Sequence, residues 1–317
     1  MSGAASADGH GALATRAAGL TFQNPILLAA GTAAYGRELD DVIALDALGG
    51  LVTKAVSVEP RAGASAPRVA DFGDGMINAV GLANPGVREV KERHLPWLAS
   101  ALTRARVLVN VVGNVVEEFG EVVATLDDAR GVHAYELNVS CPNTRAGGLE
   151  FGADPVTLDA VVRRARAATS RPLFVKLSPT LSDIAGAAKR AVDAGADGIT
   201  VINSIPGLVV NVATRRPVLG FGTGGVSGAG LRPVGVLATW KVHNAVRAPI
   251  IGVGGVSSAD DALEYLIAGA SLVAVGTAAL ADPRAPERIV RDLARWCARH
   301  DVSRLADLVG SLRFPPP

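Results

Sequence analysis

The chain has 317 residues, a formal net charge of +1, 49% hydrophobic residues and 19% charged residues. This charge argues against a nucleic-acid partner, which would favour a basic surface, and no apolar run approaches the roughly 20 residues that span a membrane. The two cysteines, Cys141 and Cys297, are far apart in sequence. No disulfide framework is indicated, and we expect a cytoplasmic protein without nucleic-acid or membrane partners.

The N-terminal residues differ in composition from the rest of the chain. Residues 1–15 are small and polar and contain no apolar signal core. We therefore expect residues 1–18 to form a disordered lead-in. Because no low-complexity linker or internal repeat divides the remainder, residues 19–317 are predicted to form a single domain.

Eight short apolar runs are the strand candidates. They are continuous rather than alternating, as expected for parallel strands that are buried on both faces. In chain order they cover residues 26–30, 50–53, 107–112, 134–139, 173–177, 198–202, 250–253 and 272–275. Helical patterns separate them. Ser182 and Ser258 precede two such patterns as predicted N-caps, and Gly195 and Gly269 end them. Repeated strand–helix units predict an α/β protein, a closed (β/α)8 TIM barrel.

Two connections are too long for a simple crossover. One follows the second strand, over residues 54–106, and the other follows the sixth strand, over residues 203–249. Both are rich in glycine and proline, and long ordered loops in enzymes usually carry function. Because they follow strands, both are predicted to lie at the C-terminal end of the barrel, where active sites are built.

Glycines at the ends of the last two predicted strands indicate a phosphate site. The seventh ends in I-G-V-G-G-V, with Gly254 and Gly255, and the eighth in V-G-T-A-A-L, with Gly276 and Thr277. Glycine allows the backbone to approach a phosphate closely, and the loops after strands seven and eight are the usual phosphate site of this barrel. Alternatively, the glycines only form tight turns.

Lysines and asparagines are also found at predicted strand ends. Buried lysine is rare unless it is paired, and an ammonium beside a flavin could stabilise negative charge. Asparagine offers both donors and an acceptor, which suits the imide and carbonyl groups of a flavin or a pyrimidine. Taken singly, each could be a solvent-exposed strand end or a turn residue. The residues are Lys54, Lys176, Asn110, Asn138 and Asn203, together with Asn78 in the first long connection.

Cys141 follows the fourth predicted strand in E-L-N-V-S-C-P-N-T. A thiol has an ordinary pKa of about 8.5, so a modest decrease makes it a useful general base near neutral pH. Most single cysteines are inert, and Cys297 in the helical pattern R-W-C-A-R is interpreted that way. No histidine lies at a strand end, and no C-x-x-C or H-E-x-x-H spacing indicates a metal.

With these residues assembled, the chain resembles the dihydroorotate dehydrogenases, flavoenzymes of pyrimidine synthesis. The resemblance rests on motifs in the family's order. They are A-A-G-T at Gly31, T-K-A-V-S-V-E-P-R at Lys54, I-N-A-V-G-L-A-N-P-G at Asn78, V-N-V-V-G at Asn110, L-N-V-S-C-P-N at Cys141, V-K-L-S-P-T at Lys176, V-I-N-S at Asn203 and G-G-V-S-G at Gly228.

The resemblance implies that FMN is bound and that dihydroorotate is oxidised to orotate. Cys141 would take the proton from carbon 5, and hydride from carbon 6 would pass to flavin nitrogen 5. Implied substrate contacts are Lys54, Asn78, Ala79, Val80, Gly81, Leu82, Asn138, Asn203 and Ser204. Implied FMN contacts are Ala30, Lys54, Ala55, Asn110, Asn138, Lys176, Ile202, Gly228, Gly254, Gly255, Gly276 and Thr277.

The same resemblance implies a class and an assembly. Cysteine at position 141 resembles the soluble branch, and S-C-P-N-T-R-A-G-G-L-E-F-G with T-G-G-V-S-G resembles its NAD-linked class. In that class the FMN barrel pairs with a subunit that carries FAD and a 2Fe-2S cluster, so a homodimer joined by two partner subunits is implied. Ala30, Thr144 and Arg145 depart from the residues most usual in the family.

Four alternatives remain open at this stage. The acceptor could be fumarate, or the substrate could be another dihydropyrimidine that shares the asparagine contacts. The glycine loops alone would also fit a phosphate-binding barrel lyase without flavin, although that leaves Cys141, Lys54 and Lys176 unexplained. A non-catalytic scaffold subunit is the least consistent, because every implied catalytic part is present.

Overall fold

Eight parallel strands form a closed barrel in the computed structural model, which describes residues 11–140 and 151–315. Each strand pairs with the next along the chain, and the last pairs with the first. The strands are β1 (Ile26–Leu28), β2 (Gly50–Val52), β3 (Arg106–Val111), β4 (Ala134–Asn138), β5 (Leu173–Leu177), β6 (Gly198–Val201), β7 (Ile250–Val253) and β8 (Leu272–Val275). The predicted TIM barrel is confirmed, and no predicted strand end differs from the observed one by more than two residues.

Helices follow the strands and cover the outside of the barrel. They are Val87–Glu89, continued by a π-helical turn at Val90–His94 and by Leu95–Ala101, then Val116–Leu126, Pro155–Arg166, Ile184–Asp193, Arg232–Ala245, Ala259–Ala268, Thr277–Ala281 and Ala285–Arg299. Short 3-10 turns occur at Leu45–Ala47, Ala229–Leu231 and Leu305–Leu308. None of the helices in the described ranges is long and apolar enough to cross a membrane.

Local capping explains where several helices begin. Ser258 accepts a hydrogen bond from the backbone nitrogen of Asp261, which caps its backbone in return, and Gly269 follows the helix end, as predicted. The helix Ile184–Asp193 is capped by Asp183, which accepts from the nitrogen of Gly186, and not by Ser182. The prediction of Ser182 as the cap was therefore wrong by one residue, because the carboxylate of Asp183 is the group that accepts from the first turn of the helix.

An N-terminal hairpin lies at the start of the barrel. Thr15–Ala17 pairs antiparallel with Leu20–Phe22, and Ala17 and Phe22 join the buried cluster of the barrel interior. Residues 15–18 were expected to belong to the lead-in, but their pairing and burial make them part of the ordered domain. Residues 1–10 lie outside the described residues.

The two long connections meet in a second sheet, which we call the cover sheet. Val69–Asp71 and Met76–Asn78 come from the connection after β2, and Ile205–Gly207 and Gly224–Ser227 come from the connection after β6. The four strands are antiparallel, with Gly225 opposite Asn78 at its centre. A second, two-stranded antiparallel sheet of Val210–Asn211 and Arg216–Pro217 also lies within the connection after β6.

Candidate active site

A cavity of about 710 Å³ lies between the C-terminal ends of the barrel strands and the cover sheet. Residues at the ends of all eight strands line it, and so do residues of the cover sheet. Its volume is within the range of sites that hold a cofactor or a drug-sized ligand. The position is the one at which barrel enzymes build their active sites.

Most of the predicted site residues line this cavity. Those found there are Ala30, Lys54, Ala55, Asn78, Val80, Gly81, Leu82, Asn110, Asn138, Lys176, Ile202, Asn203, Ser204, Gly228, Gly254, Gly255, Gly276 and Thr277. Ala79 is the exception among the described residues, since it is buried in a small apolar cluster with Ile77 and Leu219. Cys141 lies outside the described residues, as do Thr144 and Arg145.

The loops after β7 and β8 form one end of the cavity together with the cover sheet. Gly255 has a φ of 69°, and a β carbon there would come within 2.7 Å of a backbone nitrogen in the neighbouring helix. The Thr277 hydroxyl donates to the Ser227 hydroxyl at 2.8 Å, which ties the β8 loop to the cover sheet. This close-packed, glycine-containing end has the character of a phosphate site.

A group of buried polar side chains lies beneath the cavity. The carboxylate of Glu136 accepts one hydrogen bond from the amide nitrogen of Asn110 and one from the hydroxyl of Thr200, both at 2.8 Å. The amide oxygens of Asn110 and Asn138 are buried without a hydrogen-bond partner in the described part of the chain. Because an unpaired buried acceptor is costly, these oxygens fit a ligand that presents N–H groups at the cavity.

Two lysines bring positive charge to the cavity from different sides. Lys176, at the end of β5, is only 7% exposed. Lys54 follows β2, and its backbone nitrogen donates to the Ala34 carbonyl at 2.8 Å. Burial, and after it the positive charge of Arg68, lowers the pKa of Lys54 from its ordinary value, while Glu38 opposes this. A bound anion would stabilise the charged form of Lys54, so the site favours a ligand with negative charge.

One asparagine joins two strands of the cover sheet, and another joins the ends of two barrel strands. The amide nitrogen of Asn78 donates to the Gly225 carbonyl at 3.2 Å, across the centre of that sheet. The amide nitrogen of Asn203 donates to the Ser140 hydroxyl at 2.8 Å. Ser140 is buried and directly precedes Cys141. The last described residue before the predicted base is therefore held beside the predicted substrate contact Asn203.

Several residues at the cavity were not predicted. Thr32, Ser227, Ser257 and Leu280 line it, and Ser227 also bonds to Thr277. Ser227 lies in G-G-V-S-G, in which only Gly228 was predicted to contribute. Glu136, which anchors Asn110 and Thr200, had its signal in E-L-N at the end of the fourth strand. A carboxylate inside an apolar run is the pattern that could have identified it.

Comparison with known proteins agrees with this geometry. A protein-family model described as dihydroorotate dehydrogenase matches residues 12–296. The chain belongs to the dihydroorotate dehydrogenase family. The family prediction is thereby confirmed, and the lyase and scaffold alternatives lose their support.

Three relatives illustrate how closely the family resembles this chain. It is 42% identical to dihydroorotate dehydrogenase B (NAD(+)), catalytic subunit, of Geobacter sp. (strain M21), over 94% of this chain and 97% of the relative. A protein of the same name from Desulforudis audaxviator is 44% identical over 93% and 95% of the two chains. A Solibacter usitatus protein provisionally named dihydroorotate dehydrogenase A (fumarate) is 46% identical over 95% and 99%.

Proposed function

We propose that this protein oxidises dihydroorotate to orotate in pyrimidine biosynthesis, with FMN held in the cavity. The observation that carries the proposal is the cavity itself. Within a dihydroorotate dehydrogenase fold, it combines two lysines, a glycine-lined end and two buried amide oxygens that have no partner in the described ranges. When bound, FMN supplies the two-electron acceptor for the hydride of carbon 6.

The chain's own residues would hold the two ends of FMN. Gly254, Gly255, Gly276 and Thr277, with Gly228 opposite, would receive the phosphate through close backbone approach. At the other end, the ring would lie against Ala30, Ala55, Asn110, Asn138, Lys176 and Ile202. The buried ammonium of Lys176 would favour negative charge on the ring, because a cation acts strongly where water is excluded.

The substrate would lie under the cover sheet. Lys54 would pair with its carboxylate, and Asn138, Asn203 and Ser204 would hold its ring. On the cover-sheet side, the contacts would be Asn78, Val80, Gly81 and Leu82, with Ala79 packing behind them. Gly81 and Leu82 have φ values of 69° and 56°, so the backbone of this segment turns in the left-handed region.

Cys141 would take the proton from carbon 5. The C–H bond at carbon 5 breaks with its electron pair forming the ring double bond, as hydride leaves carbon 6. The thiolate of Cys141 becomes a thiol. Ser140, bonded to Asn203, would fix the start of the segment that carries this base.

The electrons would leave through a partner. The names of two relatives above describe catalytic subunits, which supports a separate electron-transfer subunit. We propose that this subunit carries FAD and a 2Fe-2S cluster and passes electrons to NAD, in a cytoplasmic heterotetramer built on a homodimer of barrels. Fumarate is the second candidate acceptor, favoured by the Solibacter relative.

The visible absorption spectrum of the purified chain tests the first step. We expect a flavin spectrum that bleaches on anaerobic addition of dihydroorotate. A flavin spectrum that persists with dihydroorotate but bleaches with dihydrouracil would identify dihydrouracil, and not dihydroorotate, as the substrate. A protein that neither contains nor binds FMN would overturn the proposed cofactor. Reoxidation of the bleached protein by fumarate alone would replace NAD as the acceptor.

A further inference from the structure

Glu136 is a buried carboxylate for which the proposed chemistry has no direct use. It lies on β4, is 1% exposed and does not line the cavity. Two residues earlier on the same strand, the interior position is occupied by Ala134 within the apolar cluster. Burying a carboxylate costs free energy that an apolar residue would not. Its presence at this position therefore calls for a specific role.

The two hydrogen bonds of Glu136 restrict the orientation of Asn110. An ionised carboxylate only accepts hydrogen bonds, whereas a primary amide donates from nitrogen and accepts at oxygen. The amide nitrogen of Asn110 must therefore face Glu136, and the amide oxygen faces away from it. The hydroxyl of Thr200 donates to the other carboxylate oxygen, so each oxygen of Glu136 accepts one hydrogen bond.

The amide oxygen of Asn110 is then left at the cavity without a partner. It is buried and has no hydrogen bond within residues 11–140 and 151–315. The oxidised flavin ring carries one N–H group, at its imide nitrogen, and dihydroorotate also carries ring N–H groups. Either could supply the missing donor, and the flavin is the ligand expected to remain bound throughout turnover.

We infer that Glu136 is a positioning residue that fixes the Asn110 amide with its oxygen towards the cavity, so that the site selects a ring with an N–H donor there. This inference rests on the proposed FMN. Glu136 acts through Asn110 and touches neither ligand.

The first test is Glu136→Gln, which preserves shape and removes the acceptor-only character. If Thr200 continues to donate to the new side-chain carbonyl, the new NH2 faces Asn110. The amide of Asn110 must then turn its oxygen towards the side chain at position 136 and its nitrogen towards the flavin N–H, so that two donors face each other. We expect the dissociation constant for FMN, measured by flavin fluorescence without substrate, to rise about 10-fold or more.

A double variant should reverse this effect. Asn110→Asp combined with Glu136→Gln exchanges the donor and acceptor roles of the pair, so that an acceptor again faces the cavity. We expect FMN affinity to return to within about 3-fold of wild type. The matched control is Thr200→Val, which removes the other hydrogen bond of Glu136 but leaves its acceptor-only character; we expect an effect below about 3-fold.

Circular dichroism and the thermal midpoint of the FMN-free proteins verify folding. Wild-type FMN affinity in Glu136→Gln, an equal loss in Thr200→Val, or no rescue in the double variant would overturn the inference. If Glu136→Gln does not fold, the wild-type protein still decides. FMN methylated at the imide nitrogen should bind at least about 10-fold more weakly than FMN, and equal binding would overturn the inference.

Failure of the proposed function gives different results. A wild-type protein that binds FMN but is not reduced by dihydroorotate would overturn the substrate and leave the Glu136 comparison intact. A wild-type protein that binds no FMN would overturn the cofactor and this inference together.

Discussion

The barrel interior has two layers that use the same strands for different purposes. The lower layer lies nearer the N-terminal ends of the strands, and the upper layer lies next to the cavity. Leu108, Ala134 and Phe174 belong to the apolar interior cluster, nearer the N-terminal end. Two residues later on the same strands lie Asn110, Glu136 and Lys176, which are buried and polar. Because side chains alternate along a strand, each pair points the same way into the barrel.

This difference separates stability from ligand binding. The lower layer is held by apolar contact, and its fit is tight: a β carbon at Gly198 would come within 2.3 Å of the Phe174 ring. The upper layer buries polar groups, and the amide oxygen of Asn110 in it has no hydrogen-bond partner among the described residues. This unfavourable burial of polar groups occurs where a bound ligand can supply the missing hydrogen bonds.

The largest effect is expected at Cys141. Cys141→Ala should lower dihydroorotate oxidation about 100- to 10,000-fold, because the proton at carbon 5 loses its base. FMN content should stay unchanged, as measured by the flavin-to-protein absorbance ratio. The matched control is Cys297→Ala, in the outer core, where burial raises the thiol pKa and turnover should not change. Near-normal turnover in Cys141→Ala would disprove the assigned role.

Phe174→Ala tests the lower layer. Removing this fully buried ring should reduce the free energy of unfolding by about 3–5 kcal/mol. Denaturant unfolding of the FMN-free protein measures the loss. Folded protein at low temperature should still bind FMN with an affinity close to that of wild type. A loss of FMN affinity as large as that of Lys176→Ala would show that the lower layer also contributes to ligand binding, which contradicts the proposed division.

Lys176→Ala tests the upper layer on the same strand. Loss of the ammonium should weaken FMN binding or slow flavin reduction by dihydroorotate about 10- to 100-fold. Fluorescence titration and stopped-flow absorbance measure the two quantities. Lys189→Ala is the control, because that exposed lysine pairs with Asp193 on a surface helix. Unchanged flavin content and kinetics in Lys176→Ala would contradict its assignment.

The smallest effect is a pH dependence at Lys54. Its pKa lies below the ordinary value of 10.5, so the ammonium loses its proton at a lower pH than a solvated lysine would. The KM for dihydroorotate should therefore rise as the pH increases through that lowered pKa, while kcat changes less. In Lys54→Arg the side chain stays charged, and this alkaline rise should disappear. A KM that rises equally in both proteins would assign the effect to another group.

Local pattern was sufficient for much of this protein. The continuous apolar runs gave all eight strands, with β5, β7 and β8 at the predicted bounds, because strands buried on both faces need apolar side chains at every position. The order of motifs gave the family. Since parallel strands end at one face, the polar residues at their ends line one cavity.

The contacts between distant segments were decided only by the tertiary structure. Asn78 and Gly225 are 147 residues apart, and no local pattern predicts that they pair at the centre of the cover sheet. The same is true of Glu136, whose partner Thr200 is 64 residues away. Ala79 belongs to a predicted site motif, yet packs with Leu219 because the cover sheet has its own small core. Sequence periodicity reports which face of an element is buried; closure of the barrel determines what that face meets.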